Sequence, residues 1–143
     1  MTDKYGLMAD EIEVDTKDNA TEQLLHNVVL GLQEKKGANI TILDMRELDN
    51  SVCDYFVICE ADSTVHVAAL ADSVEEMVYV NQGEWPLHME GKTQAQWVLV
   101  DYVDIVVHVF HKTIRPYYNL EGLWADAKRT DIDLVRSRIV AHH

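Results

Sequence analysis

Apolar residues recur along this chain at two different intervals. From about Ala20 to Lys36, Leu24, Leu25, Val28, Val29 and Leu32 keep the spacing of one helical face, and Val67, Leu70, Ala71, Val74, Met77 and Val78 do so again. The first run ends at Gly37, suited to a left-handed C′ position, with Lys35 and Lys36 in the last turn. His26 and Asn27 fall at the edge of that helix and read as surface residues. The second run opens behind Asp62-Ser63-Thr64, whose oxygens can cap it, and stops at Asn81-Gln82-Gly83. Its Asp72, Glu75 and Glu76 lie on the solvated side.

Elsewhere the pattern is that of strands. Ala38–Met45 and Asp54–Cys59 are extended, and the polar loop over 46–51 is too short for a crossover helix, so the two should lie antiparallel. Val98–Val100 and Ile105–Val109 are continuously apolar and β-branched, as in strands covered on both faces. Asp101 and Asp104 bracket a two-residue hairpin turn, Tyr102-Val103. A valine resists the positive φ of such turns, so the loop should be longer or of another type. Residues 84–96, with Pro86 and Gly91, read as a loop or an irregular extended segment leading into the hairpin. Arg115-Pro116 predicts an extended step, and Asn119 a cap for a short helix carrying Leu120, Leu123 and Trp124. These elements predict an α/β (α+β) domain, a mixed sheet flanked by helices, over residues 19–126. An acidic, flexible segment precedes it over 1–18, with some helix expected to begin in its second half. A charged tail follows over 127–143, with Ile132, Leu134, Val135 and Ile139 apolar enough to allow a last helix.

Charge then narrows the partners. Twelve Lys and Arg against 25 Asp and Glu leave a net charge of −13 in 143 residues. That balance argues against gripping nucleic acid through its phosphates and favours a basic protein partner. Cys53 and Cys59 sit too far apart along one strand to bridge and read as reduced thiols. No apolar run reaches membrane-spanning length and no secretory leader is visible, so a soluble, cytoplasmic protein is expected. His142 and His143 carry no assigned role.

The candidate chemistry is thin. His108 and His111 fall on opposite faces of one strand, and His88 with Glu90 supplies only two ligands, so no metal or other cofactor is predicted. Cys53, Cys59 and Ser63 lack a histidine base or a strained elbow that would make any of them a nucleophile. Trp97, Phe110, Arg115, Tyr117, Tyr118 and Trp124 instead crowd into one stretch, the residue types that dominate protein interfaces. Phe110 and Leu123 read as core; Trp97, Arg115 and Tyr118 stand evenly between core and contact.

That stretch, WVLVDYVDIVVHVF followed by RPYYNLEGLW, resembles the signature of the Iojap-like ribosomal silencing factors, the RsfS family. The resemblance extends through Ile42-Leu43-Asp44, Asp54-Tyr55-Phe56-Val57-Ile58 and Glu90-Gly91, over roughly residues 22–126. It implies a fold related to the nucleotidyltransferases. It also implies a partner: the basic ribosomal protein numbered fourteen on the subunit-joining face of the large ribosomal subunit, where a bound factor would block the small subunit. The contact residues so implied are Trp97, Leu99, Asp101, Tyr118, Glu121 and Trp124, with Arg115 beside them. A homodimer covering the same aromatic patch is expected in the free state. The alternative is a divergent nucleotidyltransferase-like enzyme holding Mg²⁺ and nucleotide near Asp101 and Asp104, with Asp44 or Asp54. Asp101 and Asp104 are three residues apart where such enzymes alternate them, and Glu60-Ala61-Asp62-Ser63 puts acids where a phosphate cradle is needed, so Asp101 and Asp104 are read as turn formers. Val103, where the family carries glycine, and Glu60-Ala61-Asp62, where it carries a glycine-containing turn, are the departures.

Overall fold

The computed structural model describes residues 9–132. Ten elements follow in order: α1 (Ala9–Glu34), β1 (Ala38–Asp44), β2 (Tyr55–Ala61), α2 (Thr64–Gln82), β3 (His88–Glu90), β4 (Trp97–Asp101), β5 (Ile105–His111), α3 (Arg115–Tyr118), α4 (Leu120–Leu123) and β6 (Lys128–Ile132). The strands form one mixed sheet in the order β3-β4-β5-β2-β1-β6. β2 and β5 run parallel at its centre, and the other pairs are antiparallel. The expected β1–β2 pairing is present, with Asp44 opposite Tyr55.

Burial follows the two-residue alternation of the strands. Ile105, Val107 and Val109 of β5 join Val57, Cys59, Val98 and Val100 on one face, under α1 and α2. Val106 and Phe110 point the other way, with Leu43, Phe56, Ile58 and Leu120. Among the described residues, the helices on the second face are α3 and α4, of four residues each, which cover it less than α1 and α2 cover the first. Ser63 caps α2 by accepting from the His66 N–H at 3.1 Å, and Gly83 closes it at φ 70°.

The two long helices pack through a close approach. A β-carbon on Gly31 would stand 2.8 Å from Val74 Cα and 3.0 Å from the Ser73 carbonyl oxygen. Beside it Ser73 Oγ donates to the Gly31 carbonyl at 2.7 Å. Asn27, expected at the surface, is only 3% exposed: it donates to Gln82 Oε1 and accepts from Asn81 Nδ2 across the helix pair. Two polar partners on α2 make that burial tolerable.

Several expectations need correction. α1 does end in a Schellman turn, with Gly37 N–H on the Leu32 carbonyl and Lys36 N–H on the Gln33 carbonyl, but Lys36 takes the left-handed position at φ 61°. Gly37 serves instead to clear the Cys59 sulfur. Of the two readings of 84–96, the extended one holds over β3, whose three residues pair with β4. Within the charged tail, Lys128–Ile132 form the edge strand β6, with Ile132 opposite Ile40; the remainder of the segment in which a last helix is possible, with Leu134, Val135 and Ile139, lies outside the described residues. Arg115-Pro116 begins a helical turn, since proline loses nothing where the N–H has no intrahelical partner. Leu123 is 71% exposed, not core.

The hairpin loop is longer than two residues. The Asp104 N–H donates to the Tyr102 carbonyl at 2.9 Å, closing a tight turn on Val103, which sits at φ 76°. Asp101 Oδ1 accepts the Val103 N–H at 2.7 Å, as a turn-forming acid should. A left-handed conformation costs an L-residue roughly 1–2 kcal/mol. Val103 is exposed, so its side chain returns little of that. Val103→Gly is expected to stabilise the fold by about 1 kcal/mol, read as a higher urea midpoint at unchanged slope.

Candidate interaction surface

The less covered face of the sheet carries a continuous band of rings. Trp97 opens β4 directly opposite Phe110, and their rings stack at 5.0 Å and 25°. Tyr118 lies against Trp97 at 4.5 Å, and Tyr117 meets Tyr118 edge-on at 5.3 Å. On the other side Phe56 makes edge contacts with His108 at 4.6 Å and with Trp124 at 6.0 Å. Such offset and T-shaped pairs each add about 0.5–1.5 kcal/mol beyond area burial. Alternation along β4 sets Trp97, Leu99 and Asp101 on this face, all partly exposed, while Val98 and Val100 go to the core. Tyr117 and Tyr118 remain 81% and 47% exposed. A cleft of about 230 Å³ opens between Trp97, Ile114, Tyr117, Tyr118, Gln96 and Gly91. Gly91, at φ 86°, lies against the Trp97 carbonyl where a side chain would not fit.

Arg115 and Glu121 stand behind this surface. Arg115 is buried, and Glu121 Oε2 accepts from both its Nε (2.9 Å) and Nη2 (2.7 Å). Nη1 donates to the Asn39 carbonyl and to Glu60 Oε1, and Nη2 also to Thr41 Oγ1. Thr41 donates in turn to Asp131 Oδ1 at 2.7 Å. One guanidinium thus ties α3 and α4 to β1 and β2, with β6 linked through Thr41. Asn119, at φ 47°, ends α3 and caps α4 through Gly122 N–H, which places Trp124 beside Phe56.

His108 is the residue that sequence reasoning weighed only as a metal ligand, core or interface histidine. Its Nδ1 accepts the Trp97 indole N–H at 3.1 Å, and its buried Nε2 has no hydrogen-bond partner among the described residues. Burial pushes its pKa down to about 4, partly opposed by the Asp101 carboxylate, so the ring is neutral at pH 7. A stranded buried donor costs about 1–3 kcal/mol. The cross-strand pairing of Leu99 with His108 shows the neighbourhood only once the register is known.

The other candidates scatter. Asp44 is held below the usual carboxylate range by its hydrogen bonds from Arg46. Asp101 is engaged in its turn, and the backbone carbonyl of Asp104 accepts from Asp54 and Tyr55. His88 lies 3.0 Å from Glu90 and 3.8 Å from Asp101 at the exposed sheet edge. Among the described residues no group of three or more His, Cys, Asp or Glu could hold a metal ion. Burial raises both Cys53 and Cys59 to about 12, so neither is a thiolate at pH 7. No helix among the described residues is long and apolar enough to cross a membrane.

Fold and site together describe a small α+β domain with one sheet face under the two long helices and the other lined by partly exposed aromatic rings. The chain belongs to the RsfS family: residues 17–142 match the family model described as ribosomal silencing factor during starvation. The ribosomal silencing factor RsfS of Bacillus subtilis is 42% identical over 112 residues, 78% of this chain and 93% of that one. A crystal structure of a Chromobacterium violaceum protein is similar at TM-score 0.68 and 33% identity, covering 73% of this chain and 85% of that one. A mouse protein named mitochondrial assembly of ribosomal large subunit protein 1 is 34% identical over 73 residues, 50% of this chain and 32% of that one.

Proposed function

We propose that this protein binds the large ribosomal subunit through the Trp97 band and, standing on the subunit-joining face, keeps the small subunit from docking. The half-exposed aromatic band is the observation that carries the reading. Membership of the silencing-factor family supports it, as does the mouse relative's name, which speaks of the large subunit. The immediate partner is a basic ribosomal protein in the cytoplasm, for which a net charge of −13 supplies attraction and a faster encounter. Trp97, Leu99, Asp101, Tyr118 and Trp124 make the contact. Arg115 and Glu121 act from beneath by holding α3 and α4 in place. The mechanism is occlusion, which needs bulk and residence time and no bond-making chemistry.

Sedimentation of purified large subunits with this protein and with Trp97→Ala tests it. A hot-spot truncation costs about 2 kcal/mol or more, so the variant should bind roughly thirtyfold more weakly while keeping its circular dichroism. Undiminished binding by the variant would move the contact off this band. Wild-type protein left in the supernatant would end the reading.

A further inference from the structure

We propose that His108 is a positioning residue: it fixes the Trp97 indole in the orientation the surface presents. The consequence for binding rests on the proposed ribosome contact, whereas the geometry stands without it. An indole N–H can only donate, so Nδ1 of His108 must accept at the observed 3.1 Å. A neutral imidazole accepting at Nδ1 carries its proton on Nε2, and that atom is buried without a partner among the described residues.

A purely structural core would not choose this. Leucine or phenylalanine could fill the space between Phe56, Trp97 and Phe110 without stranding a donor. Neither could accept the indole N–H. Trp97 is partly exposed, and its ring contacts with Phe110, stacked, and Tyr118, tilted, tolerate sliding and rotation. Without an acceptor beneath it, the indole would turn its N–H toward water. The hydrogen bond therefore orders the ring before a partner arrives, which removes an ordering cost from association. The charge acting on His108, that of Asp101 on β4, faces the same surface and does not replace either bond.

The test uses the full chain with ¹⁵N-labelled tryptophan and histidine. Ring-nitrogen shifts of the wild-type protein are expected to place the His108 proton on Nε2; a proton on Nδ1 overturns the proposal without any variant. The Trp97 indole signal, assigned by its loss in Trp97→Phe, is expected to exchange with solvent at least tenfold more slowly than a free indole. His108→Leu should bring that exchange to the free rate and weaken large-subunit binding about tenfold. His108→Asn, whose Oδ1 replaces Nδ1 as acceptor, should retain both protection and affinity. Undiminished protection in folded His108→Leu overturns the proposal, as does equal loss of affinity in the two variants. If wild-type protein does not sediment with large subunits, the ribosome reading falls, and the tautomer and exchange results still decide what His108 does to Trp97.

Discussion

Arg115→Leu is expected to destabilise the fold by about 3–5 kcal/mol, because it breaks a buried ion pair and leaves the acidic partners uncompensated. Glu60 and Glu121, both largely buried, would each lose a guanidinium contact, and the Asn39 carbonyl and Thr41 hydroxyl would lose donors. The loss should appear as a lower urea midpoint. Arg115→Lys should recover less than half of it, since a single ammonium cannot reach four acceptors from a planar fork. Arg115→Leu with Glu121→Leu should cost less than the sum of the single changes, because it removes one stranded carboxylate together with its partner. The functional loss should exceed the stability loss. α3 and α4 carry Tyr117, Tyr118 and the approach to Trp124, so freeing them dismantles the aromatic band even in chains that remain folded.

Gly31→Leu is expected to be comparably damaging, and Gly31→Ala to show why. In an ordinary helix interior alanine is better than glycine by roughly 0.5–1 kcal/mol. Here the added carbon meets α2 backbone at 2.8 Å, so α2 must retreat. Gly31→Ala should therefore destabilise, by about 1–3 kcal/mol, the usual range for overpacking. Gly31→Leu should cost more, since separating the helices also breaks the buried Ser73 bond and opens the core around Val74. A Gly31→Ala variant that melts higher than wild type would refute the contact.

What could be read from the chain depended on how much burial each segment carries. β2, β5 and α2 are densely apolar or sharply capped, and their positions are legible in composition alone. β6 is Lys-Arg-Thr-Asp-Ile, almost wholly exposed at a sheet edge, so hydrophobic periodicity has nothing to register there. β3 is three residues long and takes its conformation from β4. At the site, the crowding of Trp97, Tyr117, Tyr118 and Trp124 was visible as types in a short stretch. The inward turn of Arg115 was not, because its partners Glu60, Thr41 and Asn39 lie 55, 74 and 76 residues away. Asn27 was hidden for the same reason, its amide being satisfied 55 and 54 residues further on.

The pairing of β1 with β6 bears on how the molecule comes to be folded. Thr41 and Asp131 are hydrogen-bonded across 90 residues of sequence, beside the still longer pairing of Ile40 with Ile132. A nascent chain lengthens from its N-terminus, so β1 and β2 emerge long before the strand that completes them. Until Lys128–Ile132 arrives, the free edge of β1 offers unpaired amides and carbonyls to any extended segment nearby. Closing so wide a loop is also entropically late. Chains halted before residue 128 should therefore present β1 as an adhesive edge, and the charges of β6 serve a second purpose by ending the sheet in a strand that other chains find hard to extend.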